Sequence, residues 1–356
     1  MAKMNNRADW EKFNQFKVAE SIYLLSRQLS ASWQLARQQF LPASYRRFSQ
    51  VVFCGMGGSN LVSELIRSVY GASIKAPFVL VRNYQLPAFV NQQTLVIICS
   101  YSGNTEETLS CFKQALSRKA KLVCLATGGQ LKSWALKKQQ PFYQLDNKLN
   151  PSGQPRYGVG LQLGALLALF ESLRLLTISQ AELDRIVEHL EGLNNLFGLD
   201  LVIKNNPAKR IARELVGRLP VIVAADNLVA NAHLLTNQLN ESAKNLAWYN
   251  LLPELNHHLL EGLELPVSIS RRLKFLFLTS NLSLLENQKR VSATQAVLKK
   301  QGLGFIEYAI KGDNRLMIAA EAISFGSWLS FYLAVLNNRE PAGVPWVDFF
   351  KAELAK

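Results

Sequence analysis

The clearest chemistry in the sequence lies in a turn rich in hydroxyl groups. The turn, Ser100-Tyr101-Ser102-Gly103-Asn104-Thr105, follows the apolar run TLVIIC and precedes the helix-like segment EETLSCFKQALSRKA. Hydroxyls and the free backbone amides of a helix start can hold a phosphate group without a lysine. Helix capping by Thr105 is the alternative, but capping needs one hydroxyl rather than three. We therefore predict a phosphate site formed by Ser100, Ser102 and Thr105.

A glycine-rich turn gives a weaker signal of the same kind. It reads Gly55-Met56-Gly57-Gly58-Ser59 and follows the apolar run VVFC. Glycines let a backbone approach a ligand closely, although they also occur simply to form a corner. The turn lacks the third glycine of the dinucleotide fingerprint and the lysine of a P-loop, which excludes both of those sites. Gly58 and Ser59 complete the predicted phosphate site.

Alternating strands and helices must position these turns. The runs VVFC, FVLVRNY, TLVIIC and KLVCLA are continuously apolar, which indicates a parallel sheet covered on both faces. The pattern restarts at LPVIVAADN and continues through KFLFLTS and FIEYAIKG, with residues 231–250 predicted as helix between them. The fold class is therefore α/β, with two tandem doubly wound parallel-sheet domains.

The same pattern predicts the domain boundaries. Residues 1–45 form an N-terminal helical segment, 46–180 the first domain, 181–215 linking helices, 216–336 the second domain and 337–356 a C-terminal helical tail. The run 316–336 is long enough to span a bilayer, but Glu321 lies inside it. We expect a buried helix and no membrane.

Net charge and cysteine content restrict the expected binding partners and the expected cellular location. Forty basic and 26 acidic side chains leave a net charge of +14, which favours anionic partners in general. Because no recognisable nucleic-acid-binding motif is present, we expect no nucleic acid. The four cysteines, at positions 54, 99, 111 and 124, are too few for a disulfide scaffold, and the start of the sequence carries no signal peptide. We expect reduced thiols and a cytoplasmic location.

Several motifs, taken in order, resemble a known family. GMGGS followed by SYSGNTEET is similar to the sugar isomerase (SIS) domain, which binds phosphosugars. NESAK at 240–244, PELNH at 253–257, PSGQPR at 151–156 and Lys351 in DFFKAEL resemble the bifunctional phosphoglucose/phosphomannose isomerase family. The likeness runs from about residue 48 to the C-terminus. AADN at 224–227 departs from it, because it replaces a more glycine-rich turn.

The resemblance implies an activity and a set of roles. The activity is interconversion of glucose 6-phosphate, and of mannose 6-phosphate in the bifunctional case, with fructose 6-phosphate through a cis-enediol. Glu241 matches the base, His257 and Lys351 the proton shuttles, and Arg156 the group that stabilises the enediolate. The resemblance implies no metal and no cofactor. It also implies a homodimer in which His257 reaches the partner's site.

Other interpretations remain open from the sequence. Glu241 with Lys244 would suit a surface helix pair, and His257 a structural loop residue. Arg156 would suit an ion pair and Lys351 a solvated terminus. For the whole chain, the alternatives are a non-catalytic phosphosugar-binding SIS regulator and the isomerase part of an aminosugar-phosphate synthase.

Overall fold

Two parallel sheets form the framework of the protein, whose structure is a computed structural model. The structure describes Met4, residues 7–354 and Lys356. The chain divides into two compact units. The first unit is Leu24–His189, and the second unit combines Met1–Tyr23 with Leu190–Lys356. The predicted α/β class with two parallel sheets is confirmed.

The first unit contains a five-stranded parallel sheet of order β2-β1-β3-β4-β5. Its strands are β1 (Gln50–Cys54), β2 (Phe78–Val81), β3 (Thr94–Cys99), β4 (Lys121–Ala126) and β5 (Phe142–Gln144). Continuous burial of β3 and β4 explains their unbroken apolar sequence, since helices cover both faces of such a sheet. The short edge strand β5 was not predicted from the sequence.

Helices of the first unit follow the strands. The helices are α3 (Leu25–Arg37), α4 (Gly57–Tyr70), α5 (Glu106–Ser117), α6 (Gly129–Lys137) and α7 (Val159–Ser172), and α8 (Gln180–Phe197) begins in this unit. The buried helix α7 packs on α3, where the Ser32 hydroxyl donates to the Leu161 carbonyl at 2.6 Å. Helix α4 begins within the glycine-rich turn, at Gly57, and α5 begins directly after the hydroxyl-rich turn.

The second unit contains a four-stranded parallel sheet of order β7-β6-β8-β9. Its strands are β6 (Leu219–Ala224), β7 (Trp248–Leu251), β8 (Leu273–Ser280) and β9 (Gly304–Ile310). Its helices are α1 (Arg7–Glu11), α2 (Val18–Tyr23), the end of α8, α9 (Pro207–Leu215), α10 (Val229–Glu241), α11 (Leu259–Gly262), α12 (Val267–Ser270), α13 (Leu285–Lys300), α14 (Arg315–Leu336) and α15 (Pro345–Leu354).

The predicted helix over residues 231–250 is wrong in its last part. Helix α10 ends at Glu241, and the chain continues into the edge strand β7. The Asn240 side chain holds this turn, because its Nδ2 donates to the Ala247 carbonyl at 2.9 Å and its Oδ1 accepts from the Ala247 amide at 3.1 Å. A side chain that competes with the helical backbone bonds in this way favours a helix end.

Helix α14 is long and apolar enough to cross a membrane, and it is the one such helix among the described residues. Its most apolar window is completely buried inside the protein. The internal acid Glu321 is buried as well, and its Oε1 accepts a hydrogen bond from the Tyr308 phenol at 2.9 Å. The predicted buried helix is confirmed.

Candidate active site

The two turns of the first unit adjoin each other. Strands β1 and β3 are parallel neighbours that pair as far as Cys54 and Ile98, so the turns that follow them leave the same edge of the sheet. The Ser59 hydroxyl, 5% exposed, accepts a hydrogen bond from the Tyr101 amide at 2.9 Å. The glycine-rich turn and the hydroxyl-rich turn therefore form one structure.

Two hydroxyl groups meet within the second turn. Ser100 Oγ lies 2.9 Å from Thr105 Oγ1, and it also accepts from the Gly103 amide at 3.1 Å. Ser102 is exposed, and its Oγ accepts from the Asn104 amide at 3.3 Å. Ser100 itself is only 1% exposed. The turn is thus built around a buried serine, with a half-buried threonine and an exposed serine at its margin.

Thr105 does not cap the helix that follows it. It is the residue that precedes α5, yet its side chain accepts no hydrogen bond from the first turn of this helix. The Thr105 hydroxyl contacts Ser100 instead. Capping by the Thr105 hydroxyl is therefore wrong, although the Thr108 hydroxyl donates to the Thr105 carbonyl at 2.7 Å. The first-turn amides of α5 keep the capacity to bind an anion.

Gly103 permits the close approach of the turn to the start of α6. Its φ is +74°, and a Cβ at this position would lie 1.9 Å from the Gly128 carbonyl oxygen. The Gly103 carbonyl accepts from the Leu131 amide at 2.9 Å, and Asn104 Oδ1 accepts from the Gln130 amide at 2.9 Å. Only glycine satisfies both the backbone angle and the packing.

Arg156 lies at the same edge of the first unit's sheet. It is in a 3-10 turn, Pro155–Tyr157, and is 4% exposed. A Cβ built on Gly58 would lie 3.6 Å from the Pro155 carbonyl, so the arginine segment passes directly over the glycine-rich turn. The guanidinium donates to Gln154 Oε1 at 3.0 Å. The structure thus places the backbone at Arg156 against Gly58, in the turn whose Ser59 is hydrogen-bonded to Tyr101.

Tyr101 connects the hydroxyl-rich turn to the arginine segment, residues 151–156, and the sequence alone assigned it no role. Its phenol accepts from Asn150 Nδ2 at 2.7 Å and donates to Asn147 Oδ1. Asn150 Nδ2 also donates to the Gln154 carbonyl at 2.9 Å. Burial raises the pKa of Tyr101 to about 12, so the phenol is neutral at physiological pH. The position of Tyr101 between two predicted serines was the available signal.

The remaining predicted residues belong to the second unit. Glu241 is half-buried at the end of α10, His257 is exposed in the 3-10 turn Glu254–His257, and Lys351 is exposed on α15. The Lys244 ammonium donates to the backbone carbonyls of Glu241 and Gly343, which anchors the end of α10. Across the described residues, His, Cys, Asp and Glu side chains form no group of three suited to a metal ion.

Comparison with known proteins identifies the family. Residues 204–354 match the model of the bacterial phospho-glucose isomerase C-terminal SIS domain. A bifunctional phosphoglucose/phosphomannose isomerase of Caldicellulosiruptor bescii is 32% identical, over 95% of this chain and 98% of the relative. The chain belongs to this family. A second bifunctional phosphoglucose/phosphomannose isomerase, from Aquifex aeolicus, is 29% identical over 96% of this chain and 98% of its own length.

A solved structure supports the fold. Tagatose-6-phosphate ketose/aldose isomerase of Escherichia coli is similar with a TM-score of 0.69, 13% identity, and coverage of 93% of this chain and 95% of that one. The predicted family and the SIS fold are therefore confirmed. Membership in a family of isomerases also favours the enzyme over the regulator and the aminosugar-phosphate synthase.

Proposed function

We propose that this protein interconverts glucose 6-phosphate and fructose 6-phosphate, and mannose 6-phosphate and fructose 6-phosphate. The observation that carries the proposal is the hydroxyl turn, whose Thr105 leaves the α5 start uncapped and faces Ser100. A phosphosugar supplies the anion that such a helix start favours. The names of the relatives specify the two sugar phosphates.

The reaction assigns one role to each predicted residue. The phosphate is held by the hydroxyls of Ser59, Ser100, Ser102 and Thr105 and by the backbone at Gly58. The Glu241 carboxylate removes the proton from the carbon next to the carbonyl and returns it to the neighbouring carbon, which produces a cis-enediol between the two steps. The guanidinium of Arg156, a buried residue, stabilises the negative charge of that enediolate.

His257 and Lys351 complete the proposal as the groups that open the sugar ring and move protons between oxygen atoms. We place His257 in the site of the partner in a homodimer. Support for a partner comes from α15, the helix of Lys351, on which Trp346, Phe349 and Phe350 are 82%, 60% and 59% exposed in the single chain. Exposed aromatic groups of this kind are enriched at protein interfaces. We also propose a cytoplasmic location, which suits four unpaired cysteines.

A coupled assay tests the substrates. Purified protein is given fructose 6-phosphate, and formation of glucose 6-phosphate and of mannose 6-phosphate is followed with separate coupling enzymes. Turnover to both products is expected. Turnover to glucose 6-phosphate alone would remove the second substrate from the proposal, and turnover to neither would refute it.

Substitutions in the turn test the phosphate site. Ser100→Ala and Thr105→Val each remove one hydroxyl, and a hydrogen bond to a charged group contributes about 1.5–3 kcal/mol, so KM is expected to rise about 10- to 150-fold. The matched control is Ser133→Ala, which removes an exposed hydroxyl from α6 in the same unit. Equal KM values for all three variants would contradict the assigned site.

Mixing two inactive variants tests the placement of His257. If His257 acts in the partner's site, Glu241→Gln and His257→Ala chains that exchange subunits regain about one quarter of wild-type activity, because half of the dimers have one intact site of two. No recovery after confirmed subunit exchange would place His257 in the site of its own chain.

A further inference from the structure

The two sheets of the protein have the same connectivity over four strands. Strand β6 pairs with β7 on one side and β8 on the other, as β1 pairs with β2 and β3. The fourth strand, β9, lies next to β8 as β4 lies next to β3. The turn after β8, residues 281–284, is therefore the counterpart of the proposed phosphate turn, and α13 is the counterpart of α5.

The turns after β1 and β6 share a backbone angle but differ in side chain. Gly57 has φ +49°, and Asp226 has φ +52°. A Cβ at Gly57 would meet no described atom within 4 Å, so the space beside this residue is open. Asp226 instead places a carboxylate group at the corresponding corner. A non-glycine residue at positive φ is uncommon, and Asp is among the residues that tolerate it best.

The Asp226 carboxylate occupies the start of α13. Its Oδ2 accepts from the amide of Leu284, the residue that precedes the helix, at 3.1 Å. Its Oδ1 accepts from Asn287 Nδ2, in the first turn, at 2.8 Å. An anion at a helix start is stabilised by these groups whether it is a ligand or a side chain. The second unit thus carries its own anion where the first unit has an uncapped helix start.

The adjoining cleft has the size of a sugar site but the wrong charge for a phosphosugar. Its volume is about 300 Å³, and polar side chains such as Ser280, Asn281, Ser283 and Gln288 line it. Among the described residues that line it there is no Lys or Arg, whereas Glu307 is present. The Glu307 carboxylate accepts hydrogen bonds from Thr279 at 2.7 Å and Gln295 at 2.9 Å. A phosphate here would meet the Glu307 carboxylate, and the Asp226 carboxylate lies directly behind Asn287, another residue of the lining.

We propose that Asp226 is an internal anion that fills the phosphate position of the second unit. The residue determines specificity, because it excludes phosphosugars from this cleft and limits each chain to one phosphosugar, bound in the first unit. The exclusion of phosphosugars from the second unit is thus the consequence of having AADN, residues 224–227, in place of a more glycine-rich turn. The inference rests on the proposed function for the identity of the first unit's ligand.

Calorimetric titration with fructose 6-phosphate tests the inference. One binding site per chain is expected for the wild type and two for Asp226→Gly, since glycine keeps the positive φ and opens the corner. Asp313→Gly, which removes an exposed carboxylate from the loop before α14, is the matched control with one expected site. Two sites in the wild type, or one site in folded Asp226→Gly, would overturn the inference.

The same titration in a variant whose first-unit site is disabled distinguishes failure of this inference from failure of the proposed function. Ser100→Ala with Thr105→Val disables the first unit, and in that background phosphosugar binding is expected only when Asp226→Gly is added. Binding that persists without Asp226→Gly would refute the assignment of the first unit's site, while a site gained with Asp226→Gly would still support the inference.

If Asp226→Gly does not fold, Asp226→Asn provides a second test of the inference. Asn tolerates positive φ and removes only the charge, so Asp226→Asn in the disabled background is expected to bind inorganic phosphate, seen as broadening of its 31P signal. The disabled protein with Asp226 intact is expected to leave the signal sharp. Identical signals for the two proteins would overturn the inference.

Discussion

Replacement of Tyr101 by Phe tests how the phosphate turn and the arginine segment are connected. The phenol accepts from Asn150 Nδ2 at 2.7 Å, and the same nitrogen donates to the Gln154 carbonyl at 2.9 Å. Gln154 Oε1 in turn accepts from the Arg156 guanidinium at 3.0 Å. Tyr101→Phe keeps the ring and the hydrogen bond from the backbone amide of residue 101 to the Ser59 hydroxyl, and it removes only the phenol hydroxyl.

The magnitude follows from the burial of the two partners. Asn147 is exposed, so water replaces its lost hydrogen bond, whereas Asn150 is only 1% exposed and its Nδ2 keeps one of its two hydrogen bonds. The loss of one bond to a buried group costs about 1–2 kcal/mol. If the lost hydrogen bond positions Arg156 for the transition state, its removal raises the activation free energy by this amount, and kcat falls about 5- to 30-fold. KM is expected to change little, because the phosphate turn keeps its hydroxyls.

Steady-state kinetics with fructose 6-phosphate provide the assay, and Tyr45→Phe is the matched control. Tyr45 is a half-buried residue of the same unit whose phenol donates to the Leu122 carbonyl at 3.4 Å, away from the turn. Because burial keeps the Tyr101 pKa near 12, the substitution lowers activity without shifting its pH profile. An unchanged kcat, or a rise in KM alone, would refute the positioning role.

Two further predictions concern stability and thiol reactivity. Gly103 and Gly302 have nearly the same φ, +74° and +72°, so replacement of either by alanine costs about 1–2 kcal/mol in backbone strain. Only at Gly103 would the added methyl group also clash with a backbone oxygen. The urea midpoint is expected to fall clearly further for Gly103→Ala, and equal midpoints would contradict the packing. A hydrogen bond from Cys54 lowers the pKa of Cys111, whereas burial raises the pKa of Cys54. Peptide mass spectrometry after brief alkylation of native protein is expected to find Cys111 labelled first, and earlier labelling of Cys54 would show that accessibility decides instead.

Most of the sheets could be predicted from the sequence because their strands are buried on both faces. Runs such as TLVIIC and KFLFLTS are long, apolar and bounded by turn residues, so their type was clear. Two of the four edge strands, β5 and β7, were missed, whereas β2 and β9 were predicted. Residues of β7 are only half-buried, and β5 is three residues long, so neither gives a strong hydrophobic pattern. Where α10 ends depends on the contact of Asn240 with Ala247, which propensity alone does not specify.

The sequence suggested the residue types of the proposed site but not their contacts. Hydroxyl and glycine residues adjacent in sequence suggested the proposed phosphate turn, because a turn brings its own residues together. The bond between Tyr101 and Asn150 joins residues 49 positions apart, and it exists only once β3 and the loop after β5 have packed. The role of Asp226 likewise needed the structure, since Leu284 and Asn287 lie 58 and 61 positions further along the chain.

Proton exchange with solvent tests the central claim most directly. Fructose 6-phosphate is incubated in D2O with wild-type protein and with Glu241→Gln, and NMR follows both isomerisation and deuterium at the carbon that accepts the proton. Glu264→Gln, which neutralises an exposed carboxylate of the same unit, is the control. Isomerisation with deuterium uptake is expected for the wild type and the control, and loss of both for Glu241→Gln. Deuterium uptake by Glu241→Gln at the wild-type rate would contradict the assignment of Glu241 as the base.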